Sequence, residues 1–333
     1  MRVGVIGAGA VGGAMAALLH RGGHEVAVTA RGAHLQAIRE HGIRLSGGWG
    51  EHTAVVNASE TLRSTPELAI VATKAHDAAA AIRANLPWLH GVPLLIMQNG
   101  LDGVATAGEV APESPAVGGL SLFASSYLSP GTITITSPAV TYLGGPEGSE
   151  AAVTAFLDLL GPVMPVEAID NFRGALWTKL VVNQVNALPA ITGLSVQEVI
   201  SVPGLRRIMT ESIRETVRTG LALGIRFEAL QGLDHRMLHA VAAAPLWLGQ
   251  LLPLRMKRMF GATPNPASTL QSIRRGQSTE IDYLNGAVVR EAAEAGLAAP
   301  VNAALVELVH RVERTGEFLS PAETIAAVQS SRE

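Results

Sequence analysis

The stretch RVGVIGAGAVGGAMAALLH, residues 2–20, decides the fold of the amino-terminal half of the chain. Its apolar start, residues 2–6, predicts a short buried strand, and residues 10–21 predict a helix that follows almost at once. The connecting residues match G-x-G-x-x-G, in a strand–loop–helix context that favours dinucleotide binding. We expect the first glycine to permit a tight turn, the second to admit a pyrophosphate, and the third to let helix and strand pack closely. The predicted cofactor loop comprises Gly7, Ala8, Gly9, Ala10, Val11 and Gly12.

Strands and helices alternate beyond this loop. The predicted strands are 25–29, 68–73 and 92–98, and the predicted helices are 32–41 and 76–90. This alternation indicates an α/β domain, a Rossmann-type doubly wound parallel sheet with helices on both faces. After residue 115, TITIT and AVTYLGG predict antiparallel strands, followed by a helix at 149–161 and a strand at 163–169. From residue 171 only helical periodicity remains, so we place an α/β domain at 1–168 and an all-α domain at 169–333.

Composition narrows the class of protein. The chain has 333 residues, of which 48% are hydrophobic and 16% charged, as in a globular protein of two domains. A net charge of −3 gives no electrostatic reason to expect nucleic acid or an anionic membrane as a partner. There is no cysteine, and no run reaches the about 18 apolar residues of a membrane span. We therefore expect a soluble, cytoplasmic protein.

Two cations follow predicted strands in the α/β domain. An NAD site usually has an acid at the end of the second strand, whereas this chain has Thr29 and Arg31 there. Arg31 suits a 2′-phosphate, so NADP(H) is favoured; the alternative is a solvated surface arginine. Lys74 follows the third predicted strand, from which its ammonium could reach the adenosine phosphate of a cofactor or the substrate side; the alternative is an ordinary surface lysine.

An apolar segment of the second domain carries unexpected polar groups. RGALWTKLVVNQVNALPAITG, residues 173–193, predicts a buried helix on which Lys179, Asn183 and Asn186 share one stripe. An unpaired buried ammonium costs several kcal/mol, so Lys179 is expected to face a cleft or a partner. The chain has 22 arginines but three lysines, and arginine does not give up its proton near neutrality. Lys179 is therefore a candidate proton donor.

These motifs together resemble the ketopantoate reductase family. The resemblance is carried by GAGAVG, TKAHD, QNG (98–100), LWTKLVVN (176–183) and QSIRRGQSTEIDYLNG (271–286), which occur in family order over nearly the whole chain. It implies a Rossmann domain followed by a helical domain like that of 6-phosphogluconate dehydrogenase, with NADPH and substrate between the two.

The resemblance also implies roles for individual residues. Lys179 stands at the position of the catalytic proton donor, and Glu280 at that of a carboxylate that contacts the cofactor and orders the lysine. Asn99 matches a residue that lines the cleft near the nicotinamide and the substrate. Asn183 and Ser268 match residues that bind the 2-keto acid. One departure is that a second family amide falls on Ala187, whereas the chain has Asn186 one residue earlier.

The expected activity is NADPH-dependent reduction of ketopantoate to pantoate, in the biosynthesis of pantothenate and coenzyme A. Two alternatives stay open, namely reduction of another small 2-keto acid and a non-catalytic NADPH-binding regulator. His235 and His239 have the spacing of a metal pair but lack the accompanying glutamate and a third ligand, so no metal is expected. The apolar segment 240–262 is consistent with core helices, a lid or a homodimer contact.

Overall fold

The computed structural model describes residues 1–261 and 264–331. The chain forms two compact units, Met1–Phe172 and Arg173–Glu333, the last two residues lying outside the described part. The division falls four residues beyond the boundary expected from the sequence.

The first unit contains strands and helices in alternation. Its strands are β1 (Arg2–Ile6), β2 (Glu25–Thr29), β3 (Ile43–Gly47), β4 (His52–Ala54), β5 (Asn57–Ser59), β6 (Leu68–Val71), β7 (Leu94–Ile96), β8 (Ala116–Ser121), β9 (Ala124–Ser129), β10 (Thr132–Ser137), β11 (Thr141–Gly144) and β12 (Val166–Ala168). Its helices are α1 (Ala10–Arg21), α2 (Gly32–His41), α3 (Ala75–Asn85), α4 (Gly103–Val110) and α5 (Glu150–Leu160), with a 3-10 turn at Leu86–Trp88.

The larger sheet has the strand order β12-β11-β8-β7-β6-β1-β2-β5. Six neighbouring strands of this sheet, in the spatial order β8-β7-β6-β1-β2-β5, pair in parallel. Strand β11, on the other side of β8, pairs antiparallel with it. The chain runs outward from β1 to β2 and β5, and then returns to β6 on the other side of β1. This reversal is the switch point of a doubly wound sheet and confirms the Rossmann-type prediction.

Each face of the larger sheet is covered by its own apolar core. Within β6, Ile70 packs into one core while Ala69 and Val71 pack into the other. Successive side chains of a strand point to opposite faces, so a strand covered on both sides needs apolar residues throughout. This accounts for the unbroken apolar run at 68–71.

A second sheet, which the sequence analysis did not predict, covers α1. Its order is β4-β3-β10-β9, and all four strands pack against α1. The TITIT strand lies here as β10, antiparallel to β9 and parallel to β3. Because α1 lies between two sheets, it is buried from Gly12 to Leu19 and has no polar face. Contact is close enough that a Cβ on Gly13 would lie 3.0 Å from Ile133 Cγ1.

The second unit is helical, as expected. Its helices are α6 (Phe172–Asn183), α7 (Ala187–Thr192), α8 (Val196–Ser201), α9 (Pro203–Ala222), α10 (His235–Ala243), α11 (Leu246–Gly249), α12 (Leu251–Met259), α13 (Ser268–Arg274), α14 (Asn285–Glu294), α15 (Pro300–Thr315) and α16 (Pro321–Ser330), with a 3-10 turn at Ile281–Tyr283. The central helix is α9, which packs against α8, α10, α14, α15 and α16.

The single helix predicted over 173–193 is wrong, because the chain leaves the helix after Asn183 and enters α7 at Ala187. Pro189 explains the break. It has no N–H to donate to the carbonyl of Val185, and its ring would clash with that carbonyl in a continuous helix. A proline is tolerated in the first turn of a new helix, where Pro189 lies.

Phe172 explains why the first unit extends past residue 168. Although it begins α6, its ring lies over β8 and its Cβ over β11. A Cβ on Gly118 would lie 2.1 Å from the Phe172 ring, and one on Gly144 would lie 2.7 Å from Phe172 Cβ. Two glycines therefore make room for this side chain in the core of the first unit.

Candidate active site

The strand order brings four predicted cofactor elements to one edge of the larger sheet. Strands β7, β6, β1 and β2 are neighbours and parallel, so their carboxyl ends meet at the same edge. The glycine loop (residues 7–12) follows β1, Arg31 follows β2, Lys74 follows β6 and Asn99 follows β7. Ligands of doubly wound sheets bind at this edge, beside the switch point.

Two glycines of the loop are required by the protein itself. Gly7 has φ +96°, and a Cβ there would lie 2.7 Å from Thr73 Cγ2. A Cβ on Gly12 would lie 2.1 Å from the carbonyl oxygen of Gly7. The first glycine thus meets the turn requirement and the third the close helix–strand contact expected from the sequence.

Gly9 differs, because nothing in the fold requires a glycine there. Its φ is −68°, which any residue adopts, and a Cβ on it would meet no atom within 4 Å. The missing side chain leaves open space in front of the first turn of α1. The backbone N–H groups of that turn provide an environment suited to an anion.

Thr29 supports the loop in a way that the sequence analysis missed. The Gly7 amide donates to Thr29 Oγ1 at 2.9 Å, and the Ala8 amide donates to the Thr29 carbonyl at 2.9 Å. In the sequence, Thr29 stands at the end of the second strand, where an NAD site usually has an acid. The pattern gave no sign that its hydroxyl holds the loop.

His34 is a second supporting residue without a sequence signal. Its Nδ1 accepts from the Gly131 amide at 3.0 Å, so the proton is on Nε2, which donates to the Ala8 carbonyl at 2.6 Å. Burial lowers the pKa of His34, and the hydrogen bond to Ala8 partly opposes this decrease. A neutral imidazole therefore joins α2, the glycine loop and the turn before β10.

The three polar residues at the sheet edge lie at the starts of helices or loops. Arg31 is exposed and immediately precedes α2, and Lys74 is partly exposed and immediately precedes α3. Asn99 is partly exposed and follows Gln98, which is buried with its Nε2 3.4 Å from Thr73 Oγ1. Their roles toward a cofactor stay predictions.

Lys179 lies on α6 in the second unit and is partly exposed, although its ammonium group is desolvated. Burial lowers the pKa of Lys179 to about 8, and the negative charge of Glu280 opposes part of that decrease. Neighbouring side chains fix this stretch of helix. Trp177 is 1% exposed, and Thr178 Oγ1 lies 2.7 Å from the carbonyl oxygen of Glu228, to which it donates.

The amides near Lys179 do not share one helical stripe, which corrects the sequence analysis. Asn183 is the last residue of α6 and is partly exposed, whereas Asn186 follows the break and is only 8% exposed. Stripe geometry applies within a continuous helix, and Pro189 ends that continuity.

Ser268 and Glu280 come from two later segments of the second unit. Ser268 is exposed at the first position of α13, which packs against α7. Glu280 is partly exposed, immediately precedes the 3-10 turn at Ile281–Tyr283, and acts electrostatically on Lys179. The structure thus associates Glu280 with Lys179, about 100 residues apart in the chain.

The segment 240–262 forms parts of α10, α11 and α12, and residue 262 lies outside the described residues. Trp247 is 71% exposed, and Leu251 and Met259 are each 57% exposed. The homodimer contact stays a prediction. His235, at the start of α10, accepts from the Phe227 amide at 3.2 Å through Nδ1. Across the described part of the chain, no group of three or more His, Asp or Glu side chains is arranged to hold a metal ion.

None of the helices within residues 1–261 and 264–331 combines the length and apolar character needed to cross a bilayer.

Comparison with known proteins gives a consistent result over both units. The family model described as "Ketopantoate reductase PanE/ApbA" matches residues 3–148, and the model of its C-terminal domain matches residues 171–313. The 2-dehydropantoate 2-reductase of Pyrococcus abyssi is 27% identical over 93% of this chain and 97% of its own. The 2-dehydropantoate 2-reductase of Archaeoglobus fulgidus is also 27% identical, over 94% of this chain and 98% of its own.

Solved structures show the same fold. A PanE/ApbA family ketopantoate reductase from Ralstonia eutropha JMP134 has a TM-score of 0.81 and 30% identity, with 94% of this chain and 99% of that chain covered. D-mandelate dehydrogenase, solved with NADH and anilino(oxo)acetate, has a TM-score of 0.82 and 22% identity, with coverage of 95% and 99%.

Proposed function

The chain belongs to the ketopantoate reductase family, and on that premise we propose that it is an oxidoreductase that reduces 2-dehydropantoate to pantoate with NADPH. The observation that carries the proposal is Lys179, whose pKa is lowered to about 8 by burial and which lies within the influence of Glu280. A general acid works best when its pKa is near the working pH.

The first unit fits a dinucleotide at its glycine loop. The open space in front of Gly9, which neither backbone conformation nor packing explains, suits the approach of a pyrophosphate. Arg31, which is exposed two residues after the end of β2, would pair with a 2′-phosphate, which favours NADP(H) over NAD(H). Lys74 and Asn99, at the same sheet edge, would face the cofactor's phosphate and nicotinamide regions.

The second unit supplies the proton. NADPH, when bound, supplies the hydride for the C2 carbonyl of the substrate. Lys179 donates a proton to the oxygen of that carbonyl as negative charge develops on it, and a cation in a water-poor site stabilises this charge most. Glu280 keeps Lys179 protonated at neutral pH, because its negative charge raises a pKa that burial alone would lower further. We also assign Glu280 a contact with the cofactor.

Neutral groups would hold the substrate. Asn183, Asn186 and Ser268 offer hydrogen bonds to its carboxylate and hydroxyl groups, and Asn99 offers one from the first unit. Neutral donors would leave Lys179 as the cation that acts at the carbonyl.

Steady-state kinetics of Lys179→Ala with ketopantoate and NADPH test this proposal. Loss of a general acid lowers kcat by about 10²- to 10⁴-fold. The matched control is Lys257→Ala, which removes another lysine of the second unit, one whose Nζ donates to Ser201 Oγ at 2.6 Å. The proposed role of Lys179 fails if both variants retain a kcat within a few-fold of the wild-type value.

A second candidate substrate is another 2-keto acid with an apolar side chain. The family's second amide falls at position 187, where this chain has Ala187, and the chain has Asn186 one residue earlier. The amide groups available to a substrate therefore differ from those expected of the family. In addition, a small cavity of the second unit is lined mainly by apolar side chains, among them Val182, Leu233, Leu252, Met256 and Phe260. A panel of 2-keto acids with linear, branched and aromatic side chains, each assayed with NADPH and NADH, separates the two candidates. NADPH binding without reduction of any of them would favour the regulator.

A further inference from the structure

We infer that Gln184 and Asn285 are positioning residues, whose buried hydrogen bond sets where the Lys179 helix lies relative to the Glu280 segment. The inference rests on the proposed function, because it concerns the placement of the proposed proton donor. It adds two residues to which neither the family resemblance nor the sequence patterns assigned a role.

Gln184 fastens the carboxyl end of α6. Its backbone N–H donates to Val181 at 3.3 Å rather than to Leu180, as a continuing α-helix would require. Its side-chain Nε2 donates to the Leu180 carbonyl at 3.0 Å instead. The Gln184 side chain therefore replaces the missing backbone bond to the carbonyl of Leu180, the residue that follows Lys179 in α6.

Asn285 fastens the segment that carries Glu280. It is fully buried at the start of α14, five residues after Glu280, just as Gln184 comes five residues after Lys179. Its Nδ2 donates to Gln184 Oε1 at 2.8 Å and to Asn302 Oδ1 at 2.9 Å. Both hydrogens of this amide are thus used, and among the described residues its buried Oδ1 has no hydrogen-bond partner.

The pair is anchored to the central helix. Ser212 of α9 donates to Gln184 Oε1 at 2.8 Å. Asn302 of α15 donates to the Ser212 carbonyl at 3.2 Å and to Glu215 Oε2 at 2.7 Å. The Glu215 carboxylate in turn accepts from the backbone amides of residues 301 and 302, each at 2.9 Å. We call Gln184, Ser212, Asn285, Asn302 and Glu215 the amide network.

The buried hydrogen bond between Gln184 and Asn285 is better explained by the position that it imposes on α6 and α14 than by a contribution to the stability of the fold. Replacing both partners of a buried hydrogen bond by apolar groups of similar shape is often nearly neutral for stability. A directional bond, in contrast, admits one register of α6 against α14. The negative charge of Glu280 raises the pKa of Lys179. A displacement of either segment therefore changes this electrostatic interaction directly.

The scarcity of lysine allows a direct test. With lysine labelled by ¹³C at Cε, this chain of 333 residues has three such sites, Lys74, Lys179 and Lys257, and Lys179→Arg assigns the signal of Lys179. In Gln184→Met the Lys179 signal should titrate at lower pH than in the wild type, because the charge of Glu280 acts on it less. The kcat for the 2-keto acid should fall about 10-fold or more.

Two further variants separate positioning from stability. Thr324→Val removes another buried hydrogen bond of the second unit, that of Thr324 Oγ1 to Ser320, and should lower Tm without moving the Lys179 titration. The double variant Gln184→Met, Asn285→Leu should regain stability but not kcat or the wild-type titration. The inference is overturned if Lys179 titrates in Gln184→Met as in the wild type or at higher pH, or if the double variant regains both properties. Because the titration needs no substrate, it distinguishes failure of this inference from failure of the proposed reaction.

Discussion

His34 Nε2 lies 2.6 Å from the carbonyl oxygen of Ala8, so the first turn of α2 is bonded to the glycine loop. The other ring nitrogen accepts from the amide of Gly131, at the turn between β9 and β10. One neutral imidazole thereby connects the proposed cofactor loop to both sheets of the first unit. Protonation would place a second N–H opposite the Gly131 amide, where an acceptor is required.

Because the folded protein holds His34 neutral, we expect acid to lower the stability of the first unit. Because burial lowers the pKa of His34, the unfolded chain binds this proton at a higher pH than the folded chain does. The free energy of unfolding should therefore fall as the pH falls below 6.5, the usual histidine pKa. His34→Gln retains a donor and an acceptor but does not titrate, so its stability should depend less on pH. Denaturant unfolding of both proteins between pH 7.5 and about 5 measures the difference; equal slopes would contradict the prediction.

Gly9 and Gly12 should respond to alanine in opposite ways. A Cβ on Gly9 enters open space and one on Gly12 lies 2.1 Å from the Gly7 carbonyl oxygen. We expect Gly9→Ala to leave the free protein as stable as the wild type or about 0.5 kcal/mol more stable, while its KM for NADPH rises. Gly12→Ala should lose about 2 kcal/mol or more of unfolding free energy. Thermal unfolding without ligand and cofactor titration provide the two measurements, and a Gly9→Ala protein with wild-type affinity for NADPH would argue against a pyrophosphate at this loop.

Arg31 should determine the preference between the two nicotinamide cofactors. Removing a charged hydrogen-bond partner of a phosphate costs about 1.5–3 kcal/mol, or about 10- to 100-fold in affinity. Arg31→Ala should raise the KM for NADPH by this factor and leave the KM for NADH nearly unchanged. Arg39→Ala is the matched control, because Arg39 is an exposed arginine of α2 whose Nε donates to the Ala58 carbonyl. A parallel rise for both cofactors would show that Arg31 does not recognise the 2′-phosphate.

The proposed acid makes kcat depend on pH in a defined direction. Lys179 must be protonated to donate, so kcat for reduction should fall as the pH rises through about 8. Oxidation of the product needs the neutral amine and should rise through the same range. Glu280→Gln removes a charge that raises the pKa of Lys179, and should therefore move the decline in kcat to lower pH. A pH profile of Glu280→Gln that declines at the wild-type pH or above it would refute this electrostatic role.

Some features followed from short stretches of sequence because their physical causes are local. The first strand, the glycine loop and the first helix were predicted correctly, since turn conformation and apolar periodicity depend on neighbouring residues. The short strands of the second sheet escaped prediction. Strand β4 has only three residues, too few to show alternation, and it packs against α1, which is distant in the sequence.

The polar groups around Lys179 are a case in which helical periodicity gave a wrong prediction. Periodicity placed Lys179, Asn183 and Asn186 on one helix, whereas the chain turns after Asn183. The signal was present in Pro189, whose ring cannot follow Val185 in a continuous helix. The apolar residues on either side of Pro189 nevertheless give a pattern typical of one continuous helix.

By itself, the sequence determined the order of the two units and the doubly wound sheet, because these follow from periodicity and from glycines in a fixed pattern. Only the tertiary structure decided that α1 is enclosed between two sheets, how far burial lowers the pKa of Lys179, and that Gln184 bonds to Asn285 about 100 residues away. Burial of a charge and pairing of distant amides depend on which surfaces meet in space, and spacing along the chain carries no record of that.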